Sequence, residues 1–321
     1  IGGHSLLVIL VISRIHKAFN VHLQLKDIFD NPTIRELSLR ILESKQTIFS
    51  SVEPVEKKEY YDVTPDQMRM YILSEFEEVG VTYNLYDIMK IEGDVDRNRF
   101  SEVYRQLLKR HESLQTSFEM KDEKLIQRIH EDLDSQLMYI DVSKENPQTK
   151  VEIDKIILDF IKPFDLSKPP LIRTGLIDLS AETHLLLLDS HHIVVDGVSW
   201  DILIKEFLLL YHGEELPRLK LSYKDYAEWQ NRLSASPGLK QQEEYWLDKF
   251  KGEIPVLNLP LDYPRPAVQT FEGRRLKFAL STGQTGALTD LALGSNATLF
   301  MVLLAIFNIL LAKLSGHEDI V

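Results

Sequence analysis

The stretch DSHHIVVDGVSW, residues 189–200, carries two adjacent histidines ahead of an Asp-Gly pair. Imidazole changes charge near neutral pH, so His192 is a candidate for taking a proton from a reacting group. On these residues alone three readings stand: a structural histidine pair, a metal site and a catalytic imidazole. His192 and Asp196 are four apart, a spacing that suits a metal only on a helix. Ile193, Val194 and Val195 argue against a helix there, and no metal is expected. A second candidate lies in IGGHSL, where Ser5 stands at a helix start behind Gly2 and Gly3. An N-cap serine is one reading. The other is a hydroxyl offered for covalent modification, because free N–H groups and the helix dipole suit an attached phosphate.

The elements around these residues set their positions. Four consecutive leucines, 185–188, make a buried strand that Asp189 and Ser190 end. Gly197 permits a turn into a helix over Ser199–Tyr211, closed by Gly213. His192 therefore stands where a strand meets a helix, a usual place for functional groups in α/β folds. Strands are expected at 83–93, 170–180, 183–192 and 274–281, with a hairpin over 113–120 and 124–130. Helices are expected at Met68–Phe76, Asp96–His111 and Val151–Phe160, and at 222–233 and 239–250. A long buried helix is expected at Ala297–Leu314. Ahead of these, apolar residues at Leu7, Leu10, Val11, Ile15 and Phe19 hold a helical period. A second helix begins near Thr33, and the polar, aperiodic stretch through Glu59 reads as a linker. Mixed strands and helices without an internal repeat predict α/β layers.

Composition narrows the function classes. The chain has 321 residues, no cysteine, and 37 Lys+Arg against 49 Asp+Glu, a net charge of −12. The acidic balance disfavours nucleic acid and anionic membranes as partners. The lack of cysteine removes disulfides and thiol nucleophiles and fits a cytoplasmic location. The apolar runs Leu6–Ile12 and Leu299–Ala312 fall short of the about 20 residues a bilayer span needs.

In chain order, IGGHSL, TPDQMRMY, KRHESLQTSF, HHIVVDG, YKDYAEW and LPLDYPRP resemble a nonribosomal peptide synthetase: the C-terminal part of a peptidyl carrier domain followed by a condensation domain. HHIVVDG fits the signature HHxxxDG, and GGHSL fits the carrier's attachment motif. The resemblance implies a partial helical carrier over 1–44, a linker over 45–59 and a C-terminally truncated condensation domain over 60–321. The condensation part is expected to take a chloramphenicol-acetyltransferase-like α/β fold: its first subdomain and the start of the second. The resemblance further implies 4′-phosphopantetheine on Ser5 and a catalytic His192, beside His191. It makes Asp196 structural, and keeps residue 197 glycine so that no side chain crowds a substrate tunnel. The implied partners are an upstream adenylation domain, a downstream carrier domain, a phosphopantetheinyl transferase, and aminoacyl or peptidyl thioesters. The implied reaction is amide formation, with this stretch of chain inactive by itself.

Two positions depart from the family pattern. Gln115 stands where arginine is usual and Asp66 where a small residue is usual, while Arg110 matches. The usual arginine is thought to pair with the aspartate that corresponds to Asp196. Two other functions remain in view. DGVSW is a phrase favoured by epimerization domains, which share the fold, and the departures suit a non-catalytic carrier and docking fragment.

Overall fold

A computed structural model describes residues 5–44, 51–76, 80–133, 135–143, 149–234, 236–267, 273, 276–295 and 297–320. The chain divides into two compact units, Ile1–Val55 and Glu56–Val321.

The first unit is helical: α1 (Ser5–Phe19), α2 (Leu25–Asp30) and α3 (Ile34–Glu43). Val8, Val21, Leu23, Ile28 and Leu37 form its core. Thr33 caps α3 by accepting from the Glu36 amide, and Glu36 returns a carboxylate oxygen to the Thr33 amide, a reciprocal box that fixes where the helix begins. The six-residue α2 was not anticipated. Its Asp27 carboxylate accepts from the Gln24 amide and from Arg40 of α3 at 2.8 Å each.

The second unit is built from strands β1 (Tyr61–Asp62), β2 (Asn84–Glu92), β3 (Thr116–Lys121), β4 (Lys124–Ile129), β5 (Met138–Asp141), β6 (Ile172–Ser180) and β7 (Thr183–His191). Its helices are α4 (Pro65–Ser74), α5 (Arg97–Arg110), α6 (Thr149–Phe160), α7 (Gly197–Tyr211), α8 (Tyr223–Ser234), α9 (Pro237–Lys249), α10 (Thr282–Gly294) and α11 (Leu299–Ser315). The strands form a three-stranded sheet ordered β1-β4-β3 and a four-stranded sheet ordered β2-β7-β6-β5. In the larger sheet only the β5–β6 pair is parallel.

Helices cover both faces of the larger sheet at its central strands β6 and β7, which explains why those two are the most apolar and most buried. On one face Tyr104 and Leu108 of α5 and Leu203 of α7 pack with Ile172 of β6. On the other, Phe160 of α6 packs against Ile177 and Leu187. Gly175 belongs to that second face. A Cβ there would lie 2.8 Å from Met138 Cε and 3.2 Å from the Phe160 ring, so a side chain at this position would require the Met138 methyl to swing away and the Phe160 ring to give. A third cluster, including Val63, Phe118, Leu171 and Ile193, joins the small sheet to the exit of β7.

Two expectations need correction. Of the expected strand 274–281, Arg274 and Arg275 lie outside the described residues, and 276–280 have no regular structure and no strand partner among the described residues. The helix expected to be buried near the C-terminus forms as α11 but is largely exposed: only Val302 is buried, while Phe300 is 70% exposed. Among the described residues, no single helix is long and apolar enough to cross a membrane.

Candidate active site

β7 is hydrogen-bonded on both edges, to β2 and to β6. Its last residues are therefore held by two ladders. Asp189, Ser190 and His191 are all buried there. Asp189 accepts from Asn84 Nδ2 at 2.9 and 3.1 Å and from Arg173 Nη1 at 2.7 Å. Arg173 also bonds the Lys162 and Pro163 carbonyls and lies 3.6 Å over the Phe164 ring. Burial pushes the Asp189 carboxyl up, with Arg173 and Asn84 opposing. A buried carboxylate needs such partners, and here they clamp β2, β6 and β7 together at the site end of the sheet. Sequence reasoning missed this cluster. A partial signal lay in the opposite charges of Arg173 and Asp189, which the β6–β7 register pairs directly, while the Asn84 arm arises from the β2–β7 pairing.

The two histidines face different surroundings. His191 is buried, edge-on to Phe164, and its Nδ1 accepts from the Ile193 amide at 3.1 Å. Burial, with neighbouring His192, lowers its pKa to about 4, so the ring is neutral near pH 7. His192 is half-buried, and its backbone N–H donates to the Tyr83 carbonyl at 2.8 Å. Its Nδ1 lies 3.1 Å from the Val195 carbonyl. A carbonyl can only accept, so Nδ1 carries the proton and Nε2 of the neutral ring keeps its lone pair.

Asp196 begins α7. Its Oδ1 accepts from the Ser199 amide at 2.7 Å and from the Ser199 hydroxyl at 2.5 Å, which hold its pKa below the usual carboxylate range. It is exposed rather than buried. Its partner is Ser199, and Gln115 instead donates to the Lys109 carbonyl at 3.2 Å. Gly197 does not have the left-handed backbone that a glycine-requiring turn would show, and a Cβ there meets nothing within 4 Å. The tight turn occurs at Gly213 after α7, with φ +85°.

His192 and Asp196 line a cavity of about 280 Å³ whose walls include Asp66 and Met70 of α4, Thr116, and Tyr223 of α8. Three of the other stretches singled out in the sequence, TPDQMRMY, KRHESLQTSF and YKDYAEW, meet around this region. Thr64 caps α4 from the Gln67 amide, and its hydroxyl lies 3.3 Å from the Tyr223 hydroxyl. Lys224 pairs with Glu112. Arg110 makes a two-point bond to Glu206 of α7 at 2.9 and 3.1 Å, and His111 Nε2 reaches the same carboxylate at 2.7 Å. Residues 259–266 run without regular structure, mostly exposed, and do not line the cavity. Among the described residues no cluster of His, Asp or Glu has a metal-binding arrangement.

Ser5 is the first residue of α1, so unpaired backbone N–H groups of the first turn lie beside it. Gly2, Gly3 and His4 fall outside the described residues.

Residues 57–321 match the family model described as "Condensation domain", and residues 1–41 match "Phosphopantetheine attachment site". The chain belongs to the condensation-domain family of nonribosomal peptide synthetases, with a phosphopantetheine-attachment segment ahead of it. Among curated relatives, tyrocidine synthase 3 of Brevibacillus parabrevis is 45% identical over the whole chain, which covers 5% of that protein. Surfactin synthase subunit 1 of Bacillus subtilis (strain 168) is 43% identical over the whole chain, which covers 9% of it. The X-domain from teicoplanin biosynthesis superposes with a TM-score of 0.72 at 23% identity, covering 83% of this chain and 60% of that one. The first condensation domain of the calcium-dependent antibiotic synthetase gives 0.63 at 21%, covering 81% and 63%. The second unit has the chloramphenicol-acetyltransferase-like fold of condensation domains, and 4′-phosphopantetheine is the covalent group of the attachment segment.

Proposed function

We propose that the second unit forms an amide between a carrier-bound aminoacyl or peptidyl thioester and the amine of a carrier-bound aminoacyl acceptor. The observation that carries the reading is His192, which lines the cavity and whose Nδ1–H is tied to the Val195 carbonyl, so that Nε2 is the ring nitrogen left with a lone pair. The amine attacks the thioester carbonyl, the C–N bond forms, and the C–S bond breaks. His192 Nε2 takes the proton that nitrogen loses and passes it to the departing sulfur. An α-amine has a pKa of about 7.7–8.0, so part of it is neutral near pH 7.5. A positioned base then adds roughly 10²–10⁴ in rate, separate from the gain of holding two tethered substrates together. His191, buried and neutral, seats the loop, and Asp196 caps α7.

In this reading residues 1–44 are carrier, 45–59 linker and 60–321 condensation domain. Ser5 is the attachment point, where the prosthetic thiol would supply the acyl carrier. The matched spans and the division after Val55 support this arrangement. An adenylation domain, a further carrier and a phosphopantetheinyl transferase are the partners.

The test supplies both carriers already aminoacylated and follows product by mass spectrometry in a single turnover. His192→Ala should slow the new amide by about 100-fold or more while both carriers stay loaded. A near-wild-type rate would mean that proximity alone carries the reaction. Inversion at the α-carbon without amide would favour epimerization, the reading that DGVSW supports.

A further inference from the structure

We propose that Asp66 makes the reaction selective for an acceptor amino acid whose side chain ends in a cation. The inference rests on the condensation reading above and names a substrate class for it.

The cavity that holds His192 is lined by two carboxylates, Asp66 and Asp196, and by no lysine or arginine among the described residues. A cavity with one sign of charge favours ligand groups of the other. The two carboxylates are not equivalent. Asp196 spends Oδ1 on Ser199 and holds the start of α7. Asp66 has no such duty: α4 is capped by Thr64, and Gln67 returns the reciprocal bond to the Thr64 amide at 3.0 Å. Among the described residues Asp66 forms one ion pair, with Arg69 at 3.7 Å, both side chains being 68% exposed. A pair that loose and wet contributes little and gives way to a better-placed cation.

The remaining wall fits the same ligand. Met70 follows Asp66 by one helical turn, on the same face of α4, and with Ile193 and Val194 it lines the cavity. An aliphatic stem against these residues, with an ammonium at Asp66, describes a lysine- or ornithine-type side chain. The acceptor is the substrate concerned. Its amine must reach His192 Nε2, which leaves its α-carbon and side chain within the cavity.

The experiment loads the acceptor carrier with lysyl, Nε-acetyl-lysyl or norleucyl groups and measures single-turnover amide formation at limiting acceptor. It uses the synthetase module carrying this chain and its Asp66→Asn and Asp66→Glu variants. The wild type should favour lysyl over both neutral analogues by about fivefold, equivalent to about 1 kcal/mol. Asp66→Asn should bring that ratio near one, and Asp66→Glu should keep it. A wild-type ratio near one, or a ratio that survives Asp66→Asn, overturns the inference. If Asp66→Asn does not fold, the wild-type ratio and its retention in Asp66→Glu decide. Amide formed at equal rates from all acceptors overturns this inference alone. Amide from none overturns the condensation reading and this inference with it.

Discussion

His191 is 4% exposed, and burial lowers its pKa from 6.5 to about 4. The unfolded chain takes up a proton below 6.5 that the folded chain refuses until about pH 4. This contribution to stability is therefore full above pH 6.5 and is lost as pH falls toward 4, by up to about 3 kcal/mol. His191→Asn keeps an acceptor for the Ile193 amide and removes the titration. Urea unfolding of both proteins at pH 7 and pH 4.5 should show a smaller loss in the variant, and parallel losses would refute the assignment. At Asp196 the effect is a cap. Asp196→Ala should cost about 1 kcal/mol, within a range of about 0.5–2, and Asp196→Asn only a few tenths. Because the Asp196 pKa is lowered in the fold, its contribution is fully present above the ordinary aspartate value of about 3.9 and fades as pH falls below that. Equal thermal shifts for the two variants would count against a capping role.

At the scale of elements, α7 is held to the end of α5 by one carboxylate, Glu206, which serves both Arg110 and His111. Burial pushes Glu206 up, but the bonds from Arg110 and His111 leave its pKa lowered overall. Removing Glu206 strands a mostly buried guanidinium, so Glu206→Ala should cost about 3 kcal/mol. Arg110→Met together with Glu206→Leu should cost less than the sum of the single changes, by more than about 1 kcal/mol. Additive costs in a double-mutant cycle would show that the clamp is not a unit. The helices α5 and α7 and the strand β7 were legible in the sequence because each carries a long, consistent apolar pattern. β1 and β5 were not, since two and four residues give no periodicity and become strands only by pairing with β4 and β6. The expected strand over 274–281 shows the converse: an alternating pattern that, among the described residues, finds no partner at residues 276–280. At the site, HHIVVDG and its place at a strand end were readable. The Asn84–Arg173–Asp189 clamp depends on register between segments far apart in sequence, and the Ser199 partner of Asp196 was hidden by the arginine pairing taken from the family.

At the scale of the molecule, α11 exposes Phe300, Phe307, Ile309 and Leu310, each at least 50% accessible. α9 similarly exposes Trp246 and Leu247. Apolar area left in water costs about 25 cal/mol per Å², and a surface of this extent promotes association despite a net charge of −12. The 321-residue chain should therefore self-associate at micromolar concentration and bind a hydrophobic dye. Phe300→Lys with Phe307→Lys should reduce both effects. A dye-free monomer in sedimentation velocity would contradict this. α8 bears on a different practice, the splicing of synthetases into chimeras. Asn231 donates to the Val63 carbonyl, Tyr223 meets Thr64, Lys224 pairs with Glu112, and Glu228 pairs with Lys58. A seam placed anywhere between Glu112 and Tyr223 would give the two sides of these four contacts different parents. A seam before Glu56 leaves all four within one parent, and donor sequences joined there inherit the wall of the cavity intact.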